Sequence, residues 1–186
     1  GNNNHSGTFT CGTGTVNYKG TAQQVRSSTY NNLTISGSNN KTLQGDITVG
    51  GAANFTAGAL VLNGFTLNLD GTTTVTAGTI TGSATSSLSI VSSSNAAMTL
   101  PNINAGLLNL TLNKTGTTRT VALGGALSVS GTLTLTSGAL QLGAFDLTQT
   151  NSTAIAGAPF SNTNMVETNG TGSLIRSANV TNESFN

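Results

Sequence analysis

Residues 55–60 read FTAGAL, from Phe55 to Leu60. Nearly the same phrase returns as VTAGTI at 75–80 and as LTSGAL at 135–140. The starts are separated by 20 and 60 residues, so all three copies share a 20-residue phase. The phrase carries no charge, histidine or cysteine. It has apolar ends, small residues, a glycine and a hydroxyl, which suits a structural repeat better than a reactive motif.

Two further series keep the step. Ile47 and Val49 are followed by Leu67 and Leu69, then by Leu88 and Ile90 one residue late, then by Leu127 and Val129, and finally by Leu147. Leu60, Ile80, Leu100, Leu140 and Phe160 form the other. A longer echo agrees: ITVGGAANFTAGALVLNGFTLNL from Ile47 matches LSVSGTLTLTSGALQLGAFDLTQ from Leu127, and it aligns Gly58 with Gly138 and Phe65 with Phe145. Apolar and polar residues alternate within each copy, as in Ile47-Thr48-Val49, so each copy reads as short strands with one face in and one out.

Hairpins do not require a fixed 20-residue copy. A solenoid does, because residue i then sits over residue i+20. The expectation is an all-β, right-handed parallel β-helix with about 20 residues per coil and roughly nine coils, a rod of about 40–45 Å at the usual strand spacing. Ile47, Val49, Leu67, Leu69, Leu88, Ile90, Leu127, Val129 and Leu147 are expected to form the inward ladder. Thr48, Asn68, Ser89, Ser128 and Thr148 form the outward polar one. Gly58, Gly78 and Gly138 are expected at coil corners that need a positive φ. Residues 83–109 break the phase and contain Pro101, which predicts an irregular corner. The chain reads as one domain over 1–186, with residues 1–12 and 178–186 as extensions.

Composition supports this class. Charged residues make up 6% of the chain, against roughly 25% in an ordinary soluble domain, and the net charge is +1. Like charges one coil apart would stack and repel, so a solenoid has reason to avoid them. Six basic residues spread over 186 make no nucleic-acid footprint, and no apolar run has the length of a spanning helix. Abundant Thr and Asn with few charges favour an extracellular address. Starting at Gly1 without a signal peptide, the chain reads as a processed product or a piece of one.

The stretch YNNLTISGSNNKTLQGDITVGGAANFTAGALVLNGFTLNL, residues 30–69, resembles the repetitive secreted surface proteins of Bacteroidota that carry right-handed parallel β-helix repeats. TFTCGTGTVNYKGTAQQV, residues 8–25, is similar to a segment that introduces such repeats, and NGTGSLIRS, residues 169–177, to one that follows them. The resemblance implies export and a cell-surface or adhesin role. It supplies no catalytic residues. Cys11 stands where such repeats place proline or a small residue, and the chain stops at Asn186 where relatives run on into further modules.

Chemistry is sparse. Asp46, Asp70, Asp146, Glu167 and Glu183 are isolated in sequence, and Asp46 and Asp146 fall about five coils apart, too distant to work as an acid–base pair. His5 lies in a polar tail with no second ligand nearby, and no cofactor or metal is expected. Cys11 is the single cysteine, which excludes an internal disulfide and leaves a buried thiol or a crosslink between subunits. Asn32, Asn54, Asn109 and Asn151 begin Asn-x-Ser/Thr triplets of the kind this composition produces freely. The functional expectation is a non-enzymatic subunit of an extracellular filament, sheath or adhesin stalk, polymerising with copies of itself through solenoid ends or terminal strands. The alternative is an adhesin-type module that binds a glycan, another surface ligand or ice through its Thr/Asn ladders; thermal hysteresis or glycan capture separates the two.

Overall fold

The computed structural model describes residues 11–152 and 155–177. Strands follow one another three to a coil. The first coil holds β1 (Thr15–Tyr18), β2 (Gln23–Val25) and β3 (Ser28–Tyr30); the second β4 (Asn32–Ile35), β5 (Asn40–Leu43) and β6 (Ile47–Val49); the third β7 (Ala52–Phe55), β8 (Ala59–Val61) and β9 (Thr66–Leu69). The fourth has β10 (Thr72–Val75), β11 (Thr79–Thr81) and β12 (Ser87–Ser92), and the fifth β13 (Met98–Thr99), β14 (Ile103–Asn104) and β15 (Asn109–Lys114). Then come β16 (Thr120–Ala122), β17 (Leu127–Val129), β18 (Leu133–Gln141) and β19 (Leu147–Gln149), with β20 (Asn164–Glu167) and β21 (Leu174–Arg176) beginning a last, partial coil.

Every pairing between these strands is parallel, and each strand pairs with its counterpart one coil away. The result is a β-solenoid of about seven turns with three faces. Face 1 stacks β1, β4, β7 and β10, and resumes with β13, β16, the end of β18 and β20. Face 2 stacks β2, β5, β8, β11 and β14, and resumes with β17, β19 and β21. Face 3 runs unbroken through β3, β6, β9, β12, β15 and the start of β18. β18 is the nine-residue strand that rounds the corner from face 3 to face 1.

Burial alternates as the sequence pattern requires. In Asn32-Leu33-Thr34-Ile35 and Thr66-Leu67-Asn68-Leu69 the aliphatics are buried and the polar residues half-buried. Two continuous rows form the spine of face 3. One runs Ile47, Leu67, Leu88, Leu110, Leu133, and the other Tyr30, Val49, Leu69, Ile90, Leu112, Leu135. All eleven are at most 1% exposed. Fully burying each aliphatic contributes about 1.5–3 kcal/mol.

All nine residues of the expected ladder are buried, but they do not make one ladder. Leu127, Val129 and Leu147 lie on face 2, where Leu127 pairs with Leu147 and Val129 with Leu107. The cause is cumulative slippage. The step along face 3 grows from 20 residues (Ile47 to Leu67) to 21, 22 and 23, so Leu133 lies 86 residues beyond Ile47 where four even coils would give 80. Six extra residues are about one side of a coil. The two copies of the long echo are therefore offset by one face. FTAGAL rounds the corner from face 1 to face 2, and LTSGAL the corner from face 3 to face 1. The polar ladder splits likewise: Thr48, Asn68 and Ser89 continue on face 3 with Thr111 and Thr134, while Ser128 and Thr148 sit on face 2.

The expected nine coils become about seven because steps lengthen to 27 residues between Leu147 and Leu174. The predicted irregularity at 83–109 is present: β13 and β14 have two residues each, and Ala105 takes a left-handed φ of 62°. Gly58 and Gly138 hold positive φ at their corners, 69° and 104°. Gly78 turns a corner without a positive φ. Its missing Cβ serves close approach instead, since a Cβ there would sit 2.8 Å from the carbonyl carbon of Phe55 one coil below.

Candidate functional site

Asparagine and aspartate do structural work between coils. The Oδ1 of Asn32 accepts the Ala52 amide at 2.8 Å, Asp46 that of Thr66 at 2.7 Å, Asn109 that of Thr132 at 2.9 Å, and Asp146 that of Ser173 at 2.8 Å. Each acceptor satisfies a backbone N–H at a corner, where ladder pairing lapses. Asn54 donates its Nδ2 to the Thr34 hydroxyl at 3.3 Å. The triplet asparagines 32, 54 and 109 are thus built into the stack. Asp46 and Asp146 are capping groups on different corners, five coils apart.

Two lysines lie in the core, which no periodicity announced. Lys41 occupies the inward row of face 2 directly below Leu60. Its Nζ donates to the carbonyls of Gly37, Ser38 and Asn39 at 3.3, 2.8 and 3.3 Å. Gly37 and Asn39 both have positive φ, which curls the corner around the ammonium. Lys114 donates to the Ser94 carbonyl at 2.5 Å. Both side chains are fully buried, and burial pushes both pKa values down. A lysine followed by an apolar alternation, as in Lys41-Thr42-Leu43, looks like an exposed edge residue in sequence; only the stack shows that it points inward.

The two ends of the solenoid differ. At the first coil, Tyr18 and Tyr30 meet edge to face, with ring centroids 6.3 Å apart at 71°. Tyr30 donates its hydroxyl proton to the Arg26 carbonyl at 2.7 Å, so Tyr18 donates to Tyr30 at 2.9 Å. Cys11 packs half-buried against this end of the core. Burial raises its thiol pKa, partly offset by a hydrogen bond with Ser28. Burial, and then the Tyr18 hydrogen bond, pushes the Tyr30 phenol well above its ordinary value of 10.0. A group whose folded pKa is raised contributes stability that is full below its unfolded pKa and declines above it. The Tyr30 contribution is therefore expected to fall above pH 10, by up to about 1.4 kcal/mol per pH unit. The lysines have the opposite sign, their folded pKa values lying below 10.5. Denaturant titrations from pH 8 to 11 check the phenol: Tyr30→Phe should decline less steeply than the parent above pH 10, and parallel profiles would refute the assignment.

At the last coil the core opens. Leu135, Ile155, Phe160, Met165, Val166 and Leu174 line an apolar hollow of about 220 Å³. Phe160 is 49% exposed beside it. Asn164 pins the loop that carries Phe160, donating to the carbonyls of Leu135, Gly157 and Pro159 at 3.2, 2.9 and 3.2 Å. β20 pairs with β18 and β21 with β19, and among the described residues no further strand stacks on β20. At the first coil, among the described residues, β1 pairs with β4 and β2 with β5, and no strand precedes either on its face. The lengths agree face by face: β20 and β1 have four residues on face 1, and β21 and β2 have three on face 2.

Among the described residues no three His, Cys, Asp or Glu side chains gather where they could hold a metal ion. Among the described residues no helix is long and apolar enough to cross a bilayer. His5, Glu183 and the extension at 178–186 lie outside the described residues, as do residues 1–10 of the other extension. The stacked parallel strands define a parallel β-solenoid. Compared with family models, curated proteins and solved structures, the chain has no match in any of the three.

Proposed function

We propose that this chain is a non-enzymatic structural module of an extracellular or cell-surface filament, sheath or adhesin stalk, assembling head to tail with copies of itself. The observation that carries the reading is the match between the two ends. Parallel edges of equal length lie on the same faces, and the terminal hollow is apolar. An unpaired strand edge is a template for another strand. Stacking the first coil of one copy on the last coil of another would complete both ladders by β-augmentation and cover Phe160. The resemblance of residues 30–69 to secreted Bacteroidota surface repeats supports the same setting. Cys11 lies at the end that such an interface would cover; joining two such thiols as a disulfide takes an oxidising environment, and the raised pKa lowers the thiolate fraction that would react.

Phe160→Asp tests the interface without touching the interior, because the ring is half exposed. Sedimentation velocity over a concentration series should show growing oligomers for the parent. The variant should need about tenfold more protein to reach the same size, the loss typical of a central apolar anchor. Equal assembly by the two proteins would remove the hollow from the interface.

A further inference from the structure

The phase slip leaves a mark on face 2 that assembly does not use. The sheet stops at β14 and restarts at β17, and the two strands do not pair. The left-handed residues Ala105 and Gly106 carry the chain away from its neighbour before Leu107 rejoins Val129. Between them lies an open groove of about 620 Å³ crossing three coils. This is within the usual range for small-molecule sites.

Its polar and aromatic lining comes from Asn102, Asn104, Ser128, Phe145, Asp146 and Thr148. Phe145 is 38% exposed, although its amide bonds the Leu142 carbonyl at 3.0 Å in the same tight turn in which the Phe65 amide bonds the Leu62 carbonyl at 2.9 Å. Its counterpart in the echo, Phe65, packs against the core. Asn102 donates to Asn104 Oδ1 at 3.3 Å, which leaves the Asn102 oxygen and the Asn104 amide hydrogens without a partner among the described residues. Asp146 lines the groove and uses Oδ1 for the Ser173 amide, and its second oxygen has no partner among the described residues. The floor has to be glycine for Asn102 to lie there, since a Cβ on Gly125 would sit 2.2 Å from the Asn102 oxygen.

We propose that this groove is a binding site for a neutral or amino-sugar oligosaccharide. An exposed ring offers a flat apolar face to the C–H face of a pyranose. Amides, hydroxyls and a carboxylate provide both donors and acceptors for vicinal sugar hydroxyls. No lysine or arginine lines the groove, and the one charge is negative, so uronates and phosphorylated ligands are disfavoured. The site does not depend on head-to-tail assembly, because it lies on the side of the stack.

The test is a glycan array carrying neutral-hexose, amino-sugar and uronate oligosaccharides, probed with the intact chain, and calorimetric titration of the sugars retained. Neutral or amino sugars should bind and uronates should not. Phe145→Ala should weaken binding by about tenfold or more, as for a central aromatic contact, and Phe145→Trp should restore it. Ala126→Arg obstructs the groove from an exposed position, so it should abolish binding with an unchanged melting curve. Val91→Ala, which trims an exposed apolar side chain on face 3, should bind as the parent does. The proposal is overturned if no neutral or amino sugar is retained, if uronates are preferred, or if Ala126→Arg binds normally.

Discussion

Leu110→Ala is expected to lower the free energy of unfolding by about 3–5 kcal/mol, the upper part of the range for a leucine truncated in a rigid core. Leu110 is fully buried on β15 and pairs with Leu88 below and Leu133 above. Parallel stacking holds the neighbouring backbones at a fixed spacing, so the coils on either side cannot close the cavity without breaking ladder hydrogen bonds. In a solenoid each coil is stabilised mainly by its neighbours, so a fault in the fifth coil weakens two interfaces. Val91→Ala, on the exposed side of β12, should change stability by less than about 0.5 kcal/mol. Equilibrium urea denaturation of both variants decides the matter. A loss below about 1 kcal/mol for Leu110→Ala would mean that the face 3 row does not form the spine.

Gly58→Val is expected to cost a similar amount, about 3–5 kcal/mol, from strain and overpacking acting together. Gly58 has a φ of 69°, and a Cβ there would lie 2.6 Å from the Asn39 carbonyl oxygen and 2.7 Å from that of Gly37. Those carbonyls also hold the Lys41 ammonium, so relieving the clash would loosen the cation. Gly143 provides the control. Its φ is 58°, yet a Cβ there would meet nothing within 4 Å. Gly143→Ala should therefore show the backbone strain alone, about 1 kcal/mol. Thermal melts of the two variants separate the contributions, and equal losses would show that the corner at Gly58 is not tightly stacked.

The class of fold was readable from three copies of one phrase because stacking imposes like residues one coil apart. What could not be read was which face a copy occupies. Each side of a coil is the same kind of object, a short alternating strand after a small-residue corner. LTSGAL can therefore replace FTAGAL one side further round without losing its hydrophobic pattern, and a 20-residue step fits both placements. The true steps are visible only where strands pair, as in Leu88 with Leu110 and Leu110 with Leu133. The lysines were missed for a different reason: Lys41 is inward because three corner carbonyls surround it, and those carbonyls come from backbone geometry. The groove was hidden too, since Phe145 and Phe65 look equivalent in sequence. Their difference arises from the slip that puts one at the edge of an unpaired gap and the other against the core. The aspartates were legible as isolated groups, though their use as caps for the amide one coil on appears only in the stack.

Electron microscopy of the intact chain at high concentration tests head-to-tail stacking most directly. About seven turns and a partial eighth at 4.7–4.9 Å per turn predict filaments one solenoid wide with an axial repeat of about 35–40 Å. Isolated particles at every concentration, or filaments whose repeat does not match the length of one stack, would contradict it.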